Sequence, residues 1–272
     1  MKLINIAYCL MLYSLSIYQV SYAEPRFPQE FMFLNKPIDP VCISHPWDDS
    51  QHGMVDLNKC GMAQSHFVFD DYNDTLKNKG YYGWNWKDLS DPTVPNRGSG
   101  YYKFWDAGDH KFWVVAYFDG GGSGNFSTVS LFTRKDYHTV QMDILNSGDR
   151  CNGEVDKAMS QGNNLKFSTY ITPADFFSLA DDAKKDKAGE NVYACASCCV
   201  ATAYYEADSK DKKVKFLYVD LSTHPIDNMV DENEKYQVCF NKLLMSYVIK
   251  GKTKLNEVEL KEFVKSYHDK CE

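Results

Sequence analysis

The sequence predicts an α+β fold: an antiparallel β-meander followed by C-terminal helices, the whole stapled by disulfides. Three observations lead there. Residues 100–171 carry short apolar or alternating runs separated by Gly, Asp and Asn, the pattern of successive antiparallel strands. Residues 236–267 carry apolar side chains at helical spacing. Eight cysteines follow a secretory-type leader, an even number that favours disulfides in an exported chain.

The chain opens MKLINIAYCLMLYSLSIYQVSYAEPRF. Lys2 supplies the positive start, an apolar stretch follows, and Ser21 and Ala23 place small residues where a signal peptidase cuts. Residues 1–23 are expected to be a signal peptide, since Tyr and Ser interrupt a stretch shorter than the roughly 20 apolar residues of a membrane span. The remainder is expected to be secreted or periplasmic, with no membrane span after cleavage. The net charge of −7 comes from interspersed acids and bases without a basic stripe, so nucleic acid is not an expected partner. An aromatic content of 15% argues for a packed globule rather than a disordered chain.

Residues 24–99 read as a Pro- and aromatic-rich loop region packed on the domain. Pro25, Pro28, Pro37, Pro40 and Pro46 crowd its start, and proline lacks the amide donor that regular structure needs. Residues 80–99, with Pro92 and Pro95, read as irregular. Residues 100–272 are expected to form the sheet and helices, one domain together with 24–99. Strands are predicted at 100–106, 111–118, 125–133, 138–145 and 165–171. The second, KFWVVAYF, is apolar on both faces and so belongs in the middle of a sheet covered on both sides. In the fourth, Val140, Met142 and Ile144 share one face and Gln141 and Asp143 the other, the period of a half-buried strand. Residues 146–163 read as a long loop.

A helix is predicted over 173–185, with Thr172 as its cap, Pro173 in its first position and Asp175 in its first turn. Residues 200–207 and 214–221 read as a hairpin. Tyr236, Phe240, Leu243, Leu244 and Tyr247 mark one C-terminal helix. Leu260, Phe263, Val264 and Tyr267 mark the last, opened by a capping box of Asn256 and Glu259.

Cys9 leaves with the leader, and Cys42, Cys60, Cys151, Cys195, Cys198, Cys199, Cys239 and Cys271 remain. Cys42 and Cys60 bracket a short loop-rich stretch and are expected to pair. Cys239 and Cys271 lie one on each C-terminal helix and are expected to clasp them. Adjacent Cys198 and Cys199 are poor partners, because the small ring strains the peptide between them. Cys151 then bonds to one thiol of the YACASCC cluster, and Cys195 bonds to Cys198 or Cys199. The spacing of Cys195 and Cys198 is also that of a redox dithiol, but the strand–helix unit that usually carries one is not visible. Half of a paired C-x-x-C pattern is weak support for zinc. No metal or other cofactor is expected.

Two groups of residues are candidate sites. The glycines of DGGGSG precede a strand rather than a helix, so they do not form a phosphate loop. Strand parity instead brings loops 119–124 and 146–164 to one end of the sheet and turn 134–137 to the other. Asp119, Ser123, Asp149 and Arg150 then share an edge that a Cys151 bridge would pin. Tyr81, Tyr82, Trp84 and Trp86 form an aromatic patch suited to stacking on a sugar or anchoring a protein. Asp71, Asn73 and Thr75 imitate a calcium loop, but Leu76 stands where glycine is required. No HExxH helix or G-x-S-x-G elbow occurs. Three functions compete. The first is a binding protein for an unknown protein or glycan, with no catalysis of its own. The second is a hydrolase using Asp119 and Asp149, which must face each other about 5–10 Å apart. The third is a thiol–disulfide redox protein.

The strings DGGGSGNF, GDRCNGE and ITPADFFSLA together resemble a pattern in uncharacterised exported bacterial proteins. The resemblance covers residues 119–199. It implies an exported globular domain and attaches no activity to it.

Overall fold

The computed structural model of the chain describes residues 27–44, 53–61, 67–70, 74–88, 96–181, 185–224 and 234–272. The expected signal peptide, Pro25, Pro46, Asp71, Asn73, Pro92 and Pro95 lie outside the described residues. A 3-10 turn at Gln29–Phe31 leads into the short pair β1 (Met32–Phe33) and β2 (Lys36–Pro37), then α1 (Pro40–Ser44) and β3 (Met54–Asp56). After β4 (Phe67–Asp70), α2 (Asp74–Asn78) and β5 (Tyr82–Asp88) come the long strands β6 (Asn96–Asp106), β7 (Lys111–Asp119), β8 (Phe126–Arg134) and β9 (Thr139–Asp149). These build a seven-stranded antiparallel sheet in the order β3-β9-β8-β7-β6-β5-β4. The chain continues through β10 (Val155–Gln161), β11 (Asn164–Ile171), α3 (Asp175–Leu179), α4 (Lys185–Glu190), β12 (Ala201–Asp208) and β13 (Val214–Asp220). It ends with α5 (Lys235–Ile249), β14 (Lys254–Leu255) and α6 (Glu257–Cys271). The second sheet is five-stranded, in the order β10-β11-β12-β13-β14.

Antiparallel sheets and C-terminal helices are therefore present, with strand outweighing helix. The expected five-strand meander is divided. Four of its strands, β6 to β9, are neighbours, but the fifth is β11 of the other sheet. The cause is β10, which occupies most of the expected long loop. A bulge at Asp156 shifts its register, so that Val155 and Ala158 both turn inward. A bulge breaks the period-two pattern by one residue, and the strand loses its signature in the sequence. Residues 80–99 were expected to be irregular and instead hold β5 and the start of β6. Gly83 there is a close-approach residue. A Cβ on it would lie 2.0 Å from the Gly100 carbonyl oxygen and 2.7 Å from Tyr101 Cα.

The expected helix 173–185 is cut to α3, because Asp181 adopts a left-handed φ of 52°. The capping roles are also reversed: the Asp175 carboxylate accepts from the Thr172 amide at 2.7 Å and from its hydroxyl at 2.8 Å. At α6 the expected box forms. Asn256 Oδ1 accepts from the amides of Val258 and Glu259, and the Asn256 amide donates to Glu259 Oε2 at 3.0 Å. Asn256→Ala is expected to lower unfolding stability by about 1 kcal/mol, read as a shift in the urea midpoint with an unchanged slope.

Each strand of KFWVVAYF type is covered on both sides, as its composition demands. Phe112, Val114, Phe132 and Met142 face the N-terminal segment, meeting Phe31, Ile38, Ile43 and Leu57. Trp113, Val115, Val129 and Leu131 face the other way and meet Val155, Leu165 and Phe167 of the second sheet. That second sheet uses a single face twice. Leu165 and Phe167 pack on the first sheet, while Ile171, Ala201, Ala203 and Val219, further along, lie under Phe176, Phe240 and Phe263 of the helices. Its opposite face carries Lys157, Lys166 and Lys215 exposed, with Tyr170, Tyr204 and Tyr218 half-buried.

Four disulfides tie these layers: Cys42–Cys60, Cys151–Cys199, Cys195–Cys198 and Cys239–Cys271. The choice left open by the sequence resolves with Cys199 taking Cys151 and Cys198 taking Cys195. Such bonds persist in an oxidising compartment. Among the described residues no helix is long and apolar enough to cross a membrane.

Candidate functional site

Asp119 closes β7 and Asp149 closes β9, and both lie at the end of the sheet where β8 begins. Asp119 Oδ1 accepts from the Gly121 amide at 2.7 Å and so braces its own turn. Ser123 is exposed in the same loop. Asp149 Oδ1 accepts from the Asn125 amide at 2.9 Å and from Arg150 Nε at 3.1 Å, and Oδ2 accepts from Arg150 Nη2 at 3.2 Å. The Arg150 hydrogen bonds are the main reason its carboxyl sits below the usual carboxylate range. A low-pKa carboxylate is a poor proton donor. Strand β8 also runs between Asp119 and Asp149, so a strand rather than a pocket separates them. By register Asp149 lines up with Phe126 and Phe118, so Asp119, one residue further along β7, belongs to the opposite face of the sheet.

The GDRCNGE stretch is a tight turn instead of a loose loop. A Cβ on Gly148 would lie 2.1 Å from the Gly153 carbonyl carbon, and Arg150 adopts a left-handed φ of 49°. Cys151 fastens the turn to Cys199, and its amide donates to the Ala196 carbonyl at 3.3 Å. Glu154 was not singled out from the sequence. Burial, reinforced by Asp149, pushes its carboxyl up, and Asn125 Nδ2 donates to Glu154 Oε1 at 3.0 Å.

Of the aromatic patch, Trp86 is interior and Tyr81, Tyr82 and Trp84 are half-buried. Trp86 is 5% exposed and packs on Phe118 with centroids 5.8 Å apart. Tyr82 meets Phe27 edge-on at 4.8 Å, and Trp84 meets Tyr82 at 5.7 Å. Tyr81 lies against Tyr117 at 5.4 Å, and burial raises its phenol. The reason is the period of β5: Tyr82, Trp84 and Trp86 alternate with Gly83 and Asn85, which turns all three rings to the covered side. A shallow cleft of about 400 Å³ between residues 190–193 and 234–236 includes none of the expected site residues.

The open face of the five-stranded sheet gathers the groups that the sequence left scattered. Tyr204 on β12 and Tyr218 on β13 are cross-strand partners, their rings stacked at 4.5 Å and 14° from parallel. Lys254 of β14 places its ammonium 5.1 Å from the Tyr218 ring centre, which extends the stack with a cation–π contact. Beside it, Tyr170 donates to Asp156 Oδ1 at 2.8 Å, Ser168 donates to Oδ2 at 3.4 Å, and Lys157 Nζ lies 3.6 Å from Oδ2. The bulge places Asp156 here, a known use of that irregularity. Burial, then the bond to Asp156, pushes the Tyr170 phenol up to about 12.

His224 lies edge-on to Tyr170 at 5.1 Å. Its Nε2 is buried with no hydrogen-bond partner among the described residues. Burial lowers its pKa, with Asp156 opposing. Thr202 donates to Thr223 at 2.9 Å, and Asp220 accepts from the amide and hydroxyl of Ser222. Nothing local marks this cluster, because Tyr170, Tyr204 and Tyr218 come from three strands and only register aligns them. Among the described residues no group of His, Cys, Asp and Glu is arranged to hold a metal ion. No protein-family model, curated protein or solved structure matches the chain.

Proposed function

We propose that the chain is an exported, disulfide-stapled binding protein that takes a neutral glycan on the open face of its five-stranded sheet, with no chemistry at that face. The stacked Tyr204–Tyr218 pair, bordered by hydrogen-bonding side chains, carries this reading. Sugars offer C–H faces that pack on aromatic rings, and hydroxyls that both donate and accept. Tyrosine suits such a ligand because it has an apolar body and a polar tip. The border supplies an acceptor in Asp156, a phenol in Tyr170, and donors in Lys157 and Lys254. Its charges are mixed in sign, which favours a neutral ligand over a polyanion. Export is supported by the leader and by the four bridges.

The test is binding of the folded chain to an array of neutral oligosaccharides, followed by titration of the best ligand. Tyr204→Ala and Tyr218→Ala are each expected to weaken binding on the order of tenfold, while Tyr204→Phe, which keeps the ring, retains most of it. Wild-type chain that binds no oligosaccharide, or alanine variants that bind as well as wild type, would overturn the reading.

A further inference from the structure

We propose that Cys195–Cys198 is a thiol–disulfide exchange site, with Cys195 as the sulfur that an external thiol attacks. The argument begins with what each bridge holds. Cys42–Cys60 joins α1 to the turn after β3, Cys151–Cys199 joins the inter-sheet turn to the cysteine cluster, and Cys239–Cys271 joins α5 to α6. Cys195–Cys198 spans a sequence separation of 3 and joins a turn to itself. That turn is already closed by the Cys198 amide donating to the Cys195 carbonyl at 3.0 Å. Loop-closure entropy stabilises so small a ring much less than one that spans the separation of 48 closed by Cys151–Cys199. The bridge contributes least to the fold and its reduction disturbs the fold least.

Access points the same way. Cys195 is exposed, Cys198 is half-buried, and Cys151 is 4% exposed. Exchange needs an attacking thiolate aligned with the S–S bond, and the exposed sulfur admits one. Ser197 Oγ lies 3.4 Å from Cys195 Sγ, within reach to donate a hydrogen bond to a thiolate there. The turn does not open a helix, so this is not the helix-terminus setting of the strongest thiol oxidants.

The substrate class is a dithiol. Its first thiolate attacks Cys195 Sγ, the disulfide breaks, and its electron pair leaves on Cys198, which takes a proton from water. Substrate and protein are then joined through Cys195. The substrate's second thiolate attacks its own bonded sulfur and expels Cys195 as a thiolate. The substrate is oxidised by two electrons to a disulfide, the Cys195 thiolate takes a proton from water, and Cys195 and Cys198 end as thiols. The glycan reading uses none of these residues, so either proposal stands without the other.

The test equilibrates the folded chain in graded reduced and oxidised glutathione, with acid quenching, alkylation and peptide mapping. Cys195 and Cys198 are expected to be alkylated while the other six cysteines remain bonded and the thermal transition persists. In Cys198→Ser, oxidised glutathione is expected to modify Cys195 about tenfold faster than it modifies Cys198 in Cys195→Ser. The double serine variant is expected to fold, which separates loss of exchange from loss of structure. Opening of all four bridges in one step, or of Cys151–Cys199 first, or faster modification of Cys198, would each overturn the proposal.

Discussion

Replacing Cys151 and Cys199 together with serine is expected to lower unfolding stability by about 4 kcal/mol, well above the loss from the paired replacement of Cys195 and Cys198. The two bridges share a cluster but not a task. Cys151–Cys199 spans a sequence separation of 48, so its loss frees a long stretch of the unfolded chain. It also sits where β9 passes to β10, the crossing from one sheet to the other. That crossing holds Arg150 and Gly153 in left-handed conformations, at φ of 49° and 90°. Backbone hydrogen bonds remain without the bridge, from Gly153 to the Tyr170 carbonyl and from Glu154 to the Arg150 carbonyl, at 2.9 and 3.0 Å. Urea titration under non-reducing conditions measures both losses. Equal losses from the two serine pairs would contradict this account.

Phe31→Ala is expected to cost about 3–5 kcal/mol, the largest effect of any substitution in the N-terminal segment. Phe31 has no exposed surface. Its ring stacks on Phe104 and Phe132, each at 4.3 Å, and meets Phe112 edge-on at 5.2 Å. Nearby, the Tyr102 hydroxyl donates to the Ile38 carbonyl at 3.1 Å, and Cys42–Cys60 closes the segment behind it. Phe31 is thus the plug that seals one face of the seven-stranded sheet. Its removal is expected to expose 27–44 to limited proteolysis before the sheet itself unfolds, with Phe31→Leu falling between the variant and wild type. A loss below about 1 kcal/mol would mean that the segment covers the sheet without being part of its core.

Legibility in the sequence followed local regularity. KFWVVAYF and the Asn256 capping box each encode their structure within a few neighbouring residues and form as expected, while the alternation read through Ile144 holds for Val140 and Met142 and fails at Ile144, which is 48% exposed beside a register shift. Strand β10 was illegible because its bulge breaks the alternation at Asp156. The Tyr81–Trp86 stretch reads as exposed when taken as loop, whereas as a strand it puts Trp86 in the core and leaves Tyr81, Tyr82 and Trp84 half-buried. Arg150 neutralises Asp149 across one peptide bond, a contact that adjacency alone suggests but only the turn's geometry makes. The Tyr204–Tyr218 face depended on the register of three strands, which no local pattern specifies.

The margins of the two sheets bear on how many copies can crowd together safely. A strand margin exposes unpaired amides and carbonyls that can template pairing with another chain. Here β3 is three residues long, β4 four and β14 only two, while β10 is interrupted by its bulge and presents Lys157 beside it. Each of these margins is too short, too bent or too charged for a second copy to add in register. The layout guards against the fibrous self-association to which a strand-rich chain is otherwise prone, so the open tyrosine face can stay exposed at high concentration without nucleating it.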